Sequence, residues 1–160
     1  FPALLFGVNP CKPTSAGHLQ IRSHDPFEAP EIHSNYLDTD YDRATMLAGA
    51  RLMRRIAATP AMQSVIEEEI SPGADVTSDE DFAAFIRQKS WTVFHQCSTC
   101  RMGQEAATSV VDARLRVHGV DGLRVADASI FPTIPTGNTN APAIMVGEKA
   151  SDMILEDARA

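Results

Sequence analysis

No apolar run in the 160-residue sequence approaches the roughly 20 residues that a membrane-spanning helix needs, so a helical span within it is excluded. Basic residues are in the minority. The 14 Lys and Arg stand against 21 Asp and Glu, a net charge of −7, which makes nucleic acid and anionic membrane unexpected partners. Cysteine is scarce as well: Cys11, Cys97 and Cys100 are too few and too unevenly placed for a disulfide framework, and fit a reducing, cytoplasmic setting better. Neither an internal repeat nor a low-complexity tract is visible, and the first residues lack the charged start and cleavage site of a secretory signal. A signal carried on a preceding part of a longer protein would escape that reading. What is present is ordinary for a globular protein, with 44% apolar and 22% charged residues. A chain of this length buries roughly 70% of its unfolded surface, so size does not forbid independent folding.

Taken in order, the pattern predicts strands over Leu4–Val8 and Gly17–Ser23, because Leu19 and Ile21 alternate with His18, Gln20 and Arg22 at the period of a half-buried antiparallel sheet. A helix is expected from about Tyr41, with Asp40 as N-cap and Met46, Ala50, Met53 and Ala57 along one face. Thr59-Pro60 interrupts it, and a shorter helix is expected over Ala61–Glu69, before a turn at Ser71-Pro-Gly73. Thr77-Ser-Asp-Glu80 has capping-box spacing and opens a helix to about Lys89. Leu115 and Val117, then Leu123 and Val125, alternate with polar residues on either side of Gly119-Val-Asp-Gly122, a short hairpin. The last helix is expected to be capped by Asn140, with Pro142 in its first turn, and to run through Ile144, Gly147, Ser151 and Ile154 to the end of the chain.

The stretch from His95 to Val146 is the densest in local instruction. His95-Gln-Cys-Ser-Thr-Cys-Arg-Met-Gly103, the Val-Val-Asp112 turn, Gly119-Val-Asp-Gly-Leu-Arg-Val-Ala-Asp-Ala-Ser129 and Pro135-Thr-Gly-Asn-Thr-Asn-Ala-Pro142 follow one another in an order that resembles the carboxy-terminal signature of the glucose–methanol–choline (GMC) flavin oxidoreductases. The likeness reaches upstream to about Pro10. One departure is Ser98-Thr99, where the pattern usually has Gly-Thr. The Gly-x-Gly-x-x-Gly loop with which such enzymes hold the FAD pyrophosphate is not found in the sequence. With Phe1 at the start and apolar Pro2–Phe6 after it, the chain is therefore expected to be the C-terminal part of a longer protein, working with an N-terminal FAD-binding part supplied as a separate chain.

The resemblance implies an α+β fold: an antiparallel substrate-domain sheet with helices over residues 1–94, then the closing strands and last helix of the FAD-binding domain over 95–160. It implies FAD as cofactor, a primary alcohol as substrate, an aldehyde as product, and oxygen or another acceptor to reoxidise the flavin. Alcohol oxidation by hydride transfer to flavin N5 needs a base for the hydroxyl proton, and histidine titrates in the right range. The resemblance places His95 in that role. Asn138 is expected to hold the substrate oxygen and contact the flavin, since its amide donates and accepts hydrogen bonds but is no base at neutral pH. Thr139, at a helix N-terminus that suits negative charge, is expected to contact the isoalloxazine ring. Asp127 and Ala128 are expected at the ribityl-phosphate portion, Asp127 alternatively serving only as a turn residue. Phe94 is expected to line the substrate cavity or to pack in the core.

Other chemistries are open to the same residues. His95-x-Cys97-x-x-Cys100 presents ligands that zinc uses, but no second Cys pair or His-x₃-His completes a site, so no metal is expected. A GMC-type hydroxynitrile lyase, which keeps the flavin without net redox turnover, and a non-catalytic module retaining the fold are the alternatives to an alcohol oxidase or dehydrogenase.

Overall fold

The computed structural model describes residues 2–159; Phe1 and Ala160, on which the expected start and end of the chain fall, lie outside the described residues. The elements are β1 (His18–Gln20), β2 (Glu31–His33), α1 (Asp40–Ala57), α2 (Pro60–Gln63), α3 (Asp79–Lys89), a 3₁₀ turn (Ala128–Ile130) and α4 (Asn140–Asp157). β1 and β2 form a two-stranded antiparallel sheet, giving an α+β class. No helix among the described residues is long and apolar enough to cross a membrane. The chain divides into two compact units, residues 2–17 with 33–91, and residues 18–32 with 92–159.

In the first unit α1 begins one residue earlier than Asp40 capping would allow. Thr39 is the N-cap, its hydroxyl accepting from the N–H of Asp42, while Asp40 joins the first turn and pairs with Arg43. The face carrying Met46, Ala50, Met53 and Ala57 is half-buried. Phe82 and Ile86 of α3 are buried, and the Arg54 guanidinium lies 4.5 Å from the centre of the Phe82 ring. The capping box is shifted by one residue: Ser78 Oγ accepts from Asp81 N–H at 3.0 Å and donates to its carboxylate at 2.8 Å. α2 is far shorter than Ala61–Glu69. Three successive carboxylates, Glu67, Glu68 and Glu69, would have faced the negative end of such a helix. Glu69 instead takes a bidentate pair from Arg54 at 2.6 and 3.0 Å.

The expected strand at Leu4–Val8 is not formed: Leu4 and Leu5 are exposed and no strand among the described residues offers them a ladder. β1 is shorter than Gly17–Ser23 and both strands are exposed throughout, so the alternation of Leu19 and Ile21 does not translate into a half-buried face.

In the second unit Val111, Leu115, Ile130, Val146 and Ala150 form the core, flanked by Met102, Val117, Val125, Phe131 and Met153. The expected hairpin closes through Val117 N–H to Leu123 O at 3.0 Å and Val125 N–H to Leu115 O at 3.1 Å, yet yields single ladder pairs in place of strands. Leu115 has φ of +65°, which turns the chain at the point where a strand would have run through. Asp112 builds that turn, Oδ1 accepting from the N–H groups of Arg114 (2.8 Å) and Arg116 (2.9 Å). Leu123 is half exposed, so of the second segment Val125 alone packs on the core cluster.

The C-terminal end of α4 is tied to this turn by charge. Asp157 accepts from Arg114 at 2.9 Å and from both Arg116 and Arg124, while Arg114 also reaches Glu156 and the Met153 carbonyl, each at 3.1 Å. The hydrogen bond from Arg116 outweighs partial desolvation and, with the charges of Arg114 and Arg116, holds the Asp157 carboxyl below its ordinary value. A carboxylate so depressed stabilises the fold above its ordinary pKa of 3.8 and ceases to as pH falls through the folded value. Asp157→Asn is therefore expected to release three mutually repelling guanidinium groups and raise amide hydrogen exchange in the last two turns of α4 at pH 7. The difference from the parent protein should shrink as pH falls through the depressed carboxyl value; exchange rates unchanged at pH 7 would contradict it.

Candidate active site

The site is assembled by two segments of the second unit. The first, from Thr92 to Gly103, is an irregular strap with two residues in the left-handed region, Phe94 (φ +61°) and Ser98 (φ +75°). Such conformations cost about 1–3 kcal/mol each and persist only where surrounding bonds hold them. Those bonds are present: Phe94 N–H donates to Thr92 Oγ1 at 3.0 Å, Ser98 Oγ donates to Phe131 O at 2.7 Å, Cys100 N–H reaches Ser129 O at 3.0 Å and Met102 N–H reaches Ile130 O at 2.8 Å. Gly103 closes the strap, where a Cβ would meet Ser109 Cβ at 2.9 Å. The strap is thus laced to the 3₁₀ turn, whose own start is capped by Asp127 Oδ1 accepting from Ser129 N–H at 2.7 Å.

The second segment is the loop Pro135–Thr139 leading into α4. Gly137, at φ +114°, supplies the bend. Thr139 is the N-cap residue, one position before the expected Asn140, and is buried to 8% exposure. Its backbone is right-handed helical (φ −82°, ψ −4°) and its side chain makes no cap bond, unlike Thr39 and Ser78, whose extended backbones fold the hydroxyl over the helix end. Neither Asn140 nor Ala141 finds a partner for its N–H among the described residues, and no acid stands in the first turn. The positive end of an 18-residue helix is left open.

Lacing and loop bring His95 to Thr139 across 44 residues of sequence: Nδ1 lies 2.9 Å from Thr139 Oγ1. His95 is half-buried and its Nε2 has no hydrogen-bond partner among the described residues. Asn138, next to Thr139 in the chain, is exposed and its amide has no hydrogen-bond partner among the described residues, and Phe94 is 80% exposed, presenting its ring outward instead of packing it. Ala128 is half-buried at the start of the 3₁₀ turn. The Cys97-x-x-Cys100 pair gathers no metal set: no group of three His, Cys, Asp or Glu among the described residues is placed to hold an ion. His118 Nε2 sits 3.1 Å from both Ser109 Oγ and Gly103 O. Sequence patterns had no means to show that Thr139 Oγ1 serves His95, nor that Ser98 anchors the strap; both bonds join distant segments.

The family model for GMC oxidoreductase matches residues 13–147. The oxygen-dependent choline dehydrogenase of Photobacterium profundum is 48% identical over 149 residues, which cover 92% of this chain and 26% of that protein. Among solved structures, an FAD-dependent oxidoreductase from Chaetomium thermophilum superposes with a TM-score of 0.87 at 35% identity, over 92% of this chain and 26% of that one. The Aspergillus oryzae formate oxidase does so at 0.90 and 31%, over 99% and 29%. The chain belongs to the GMC oxidoreductase family. It spans about a quarter of the length of the curated relatives it matches, and those relatives are oxidoreductases.

Proposed function

We propose that this chain is the C-terminal part of an FAD-dependent enzyme that oxidises a primary alcohol to an aldehyde, with His95 as the base. The observation that carries the reading is the His95–Thr139 pair at the open N-terminus of α4: Nδ1 is engaged at 2.9 Å and Nε2 is left without a partner among the described residues. The residues fit FAD on a feature of this fold, since an uncapped helix end with free N–H groups and no acidic residue suits the negative edge of a reduced flavin. The Asn138 amide and the backbone of Thr139 would hold the ring, and Asp127 and Ala128 the ribityl-phosphate portion. When bound, FAD supplies the hydride acceptor.

The chain's own residues do the rest. Nε2 of His95 takes the hydroxyl proton, the Asn138 amide donates a hydrogen bond to the substrate oxygen and fixes its approach, and the Phe94 ring forms part of the substrate wall. Residues 1–94 belong on this reading with the substrate-binding part and 95–160 with the FAD-binding part. The partner is the N-terminal FAD-binding part of the same enzyme. Two features support it: the chain's share of its relatives' length, and the apolar residues Ile144, Met145, Ile154 and Leu155, each at least half exposed on α4 while Val146 and Ala150 are buried. Oxygen or another acceptor takes the electrons in the second half of the cycle.

The test is an anaerobic absorbance titration of the complete enzyme with a panel of primary alcohols, choline first because of the name its relatives carry. Bleaching of the flavin bands by one of them is the expected result. A flavin spectrum that no alcohol alters would overturn the alcohol-oxidising reading in favour of the lyase, and a protein unable to bind flavin would favour the non-catalytic module.

A further inference from the structure

We propose that Thr139 is a positioning residue that keeps the proton of His95 on Nδ1, so that Nε2 stays an open base; this rests on the reading of His95 given above. A neutral imidazole carries one proton, and the bond made by one ring nitrogen decides what the other offers. Free in water the ring prefers the proton on Nε2, the form in which the outward nitrogen is a donor and no base. Thr139 Oγ1 lies 2.9 Å from Nδ1, and on this proposal it reverses that preference by accepting from Nδ1–H.

The backbone explains why this hydroxyl oxygen is available. At Thr39 and Ser78 the N-cap residue is extended and its oxygen accepts a helix N–H, from Asp42 and from Asp81. At Thr139 ψ is −4°, the side chain does not turn over the helix end, and its lone pairs remain for the imidazole. Thr139 is buried to 8% exposure, so water competes poorly for them. On the other side His95 sits in a strap held by Ser98 Oγ, Cys100 N–H and Met102 N–H, which keeps the ring from swinging away. The helix N-terminus is thereby put to two uses: its backbone N–H groups stay open for the cofactor, and its cap side chain serves the base.

The test uses the complete FAD-loaded enzyme with ¹⁵N-labelled histidine and the variants Thr139→Val, which keeps shape and backbone N–H but offers no lone pair, and Thr139→Ser, which restores the oxygen. The parent protein should show a protonated Nδ1 and an unprotonated Nε2 for His95. Thr139→Val should retain its flavin, shift the signal towards the Nε2-protonated form, and reduce its flavin with choline about tenfold to a hundredfold more slowly. Thr139→Ser should recover both the signal and the rate. The proposal is overturned if Thr139→Val keeps the Nδ1-protonated signature at an undiminished rate, or if Thr139→Ser is as impaired as Thr139→Val, which would make the effect one of packing. His95→Ala with an unchanged rate would overturn the base assignment itself, a separate failure.

Discussion

Replacement of His95 by alanine is expected to slow flavin reduction by an alcohol about 10²- to 10⁴-fold while leaving FAD bound, the contribution typical of a positioned proton acceptor. Retention of the cofactor follows from the architecture. On the proposed reading the groups that would hold FAD, the open N–H groups of Asn140 and Ala141 with Asp127 and Ala128, lie at the starts of α4 and of the 3₁₀ turn, and the lacing of that turn to Cys100 and Met102 does not involve the imidazole. His95→Gln is a sharper companion. Its amide can still bond Thr139 and fill the space but cannot take a proton at neutral pH, so it should be as slow as alanine. Stopped-flow anaerobic reduction, with the flavin absorbance of each variant giving its cofactor content, checks both. A His95→Gln enzyme reducing at the parent rate would sink the assignment.

The second large effect is on stability and concerns Asp42, 1% exposed in the first turn of α1. Its Oδ1 accepts from Thr14 N–H at 2.8 Å and Thr14 Oγ1 at 3.2 Å, and Oδ2 from Ser15 N–H at 2.8 Å, so one carboxylate ties the loop at 14–15 to the helix start. Asp42→Ala strands two backbone donors and is expected to cost about 3 kcal/mol of stability in the first unit. Asp42→Asn keeps one acceptor but turns an amide N–H₂ on a backbone N–H, at a cost of about 2 kcal/mol. Desolvation pushes this carboxyl up, but the hydrogen bonds from Ser15 and Thr14 outweigh it and the net shift is downward. Its contribution is therefore complete above the ordinary carboxyl value of 3.8 and is lost as pH falls through the lower folded value. Urea unfolding of parent and Asp42→Asn proteins should differ most near neutral pH and converge as pH falls through the depressed carboxyl value; a gap independent of pH would show that charge plays no part.

The sequence and the tertiary structure divided the work unevenly. Helices were legible because their instructions are local: the half-buried face of α1 follows the 3.6-residue period of Met46, Ala50, Met53 and Ala57, and Pro142 sits in the first turn of α4 as its fixed φ allows. N-caps were read one residue off at Asp40, Thr77 and Asn140, since neighbouring Thr, Ser, Asp and Asn residues compete for the same role and only backbone angles choose among them. Strands were over-read. Alternation at Leu19 and Ile21 specifies a face only when something lies on it, and Leu115 left the extended region because Asp112 captured two N–H groups of its neighbours.

What the residues alone determined, then, was the α+β class, the family through its ordered signature blocks, and the candidates His95, Asn138 and Thr139. Tertiary structure decided how they are used. That the hydroxyl of Thr139 turns to His95 and not to its own helix, that Ser98 and the 3₁₀ turn hold the strap, and that three arginines meet on Asp157 all depend on contacts between segments 28 to 44 residues apart. No periodicity or propensity encodes such pairs, because local preference is set by near neighbours while the partner of a buried polar group is set by where the chain returns.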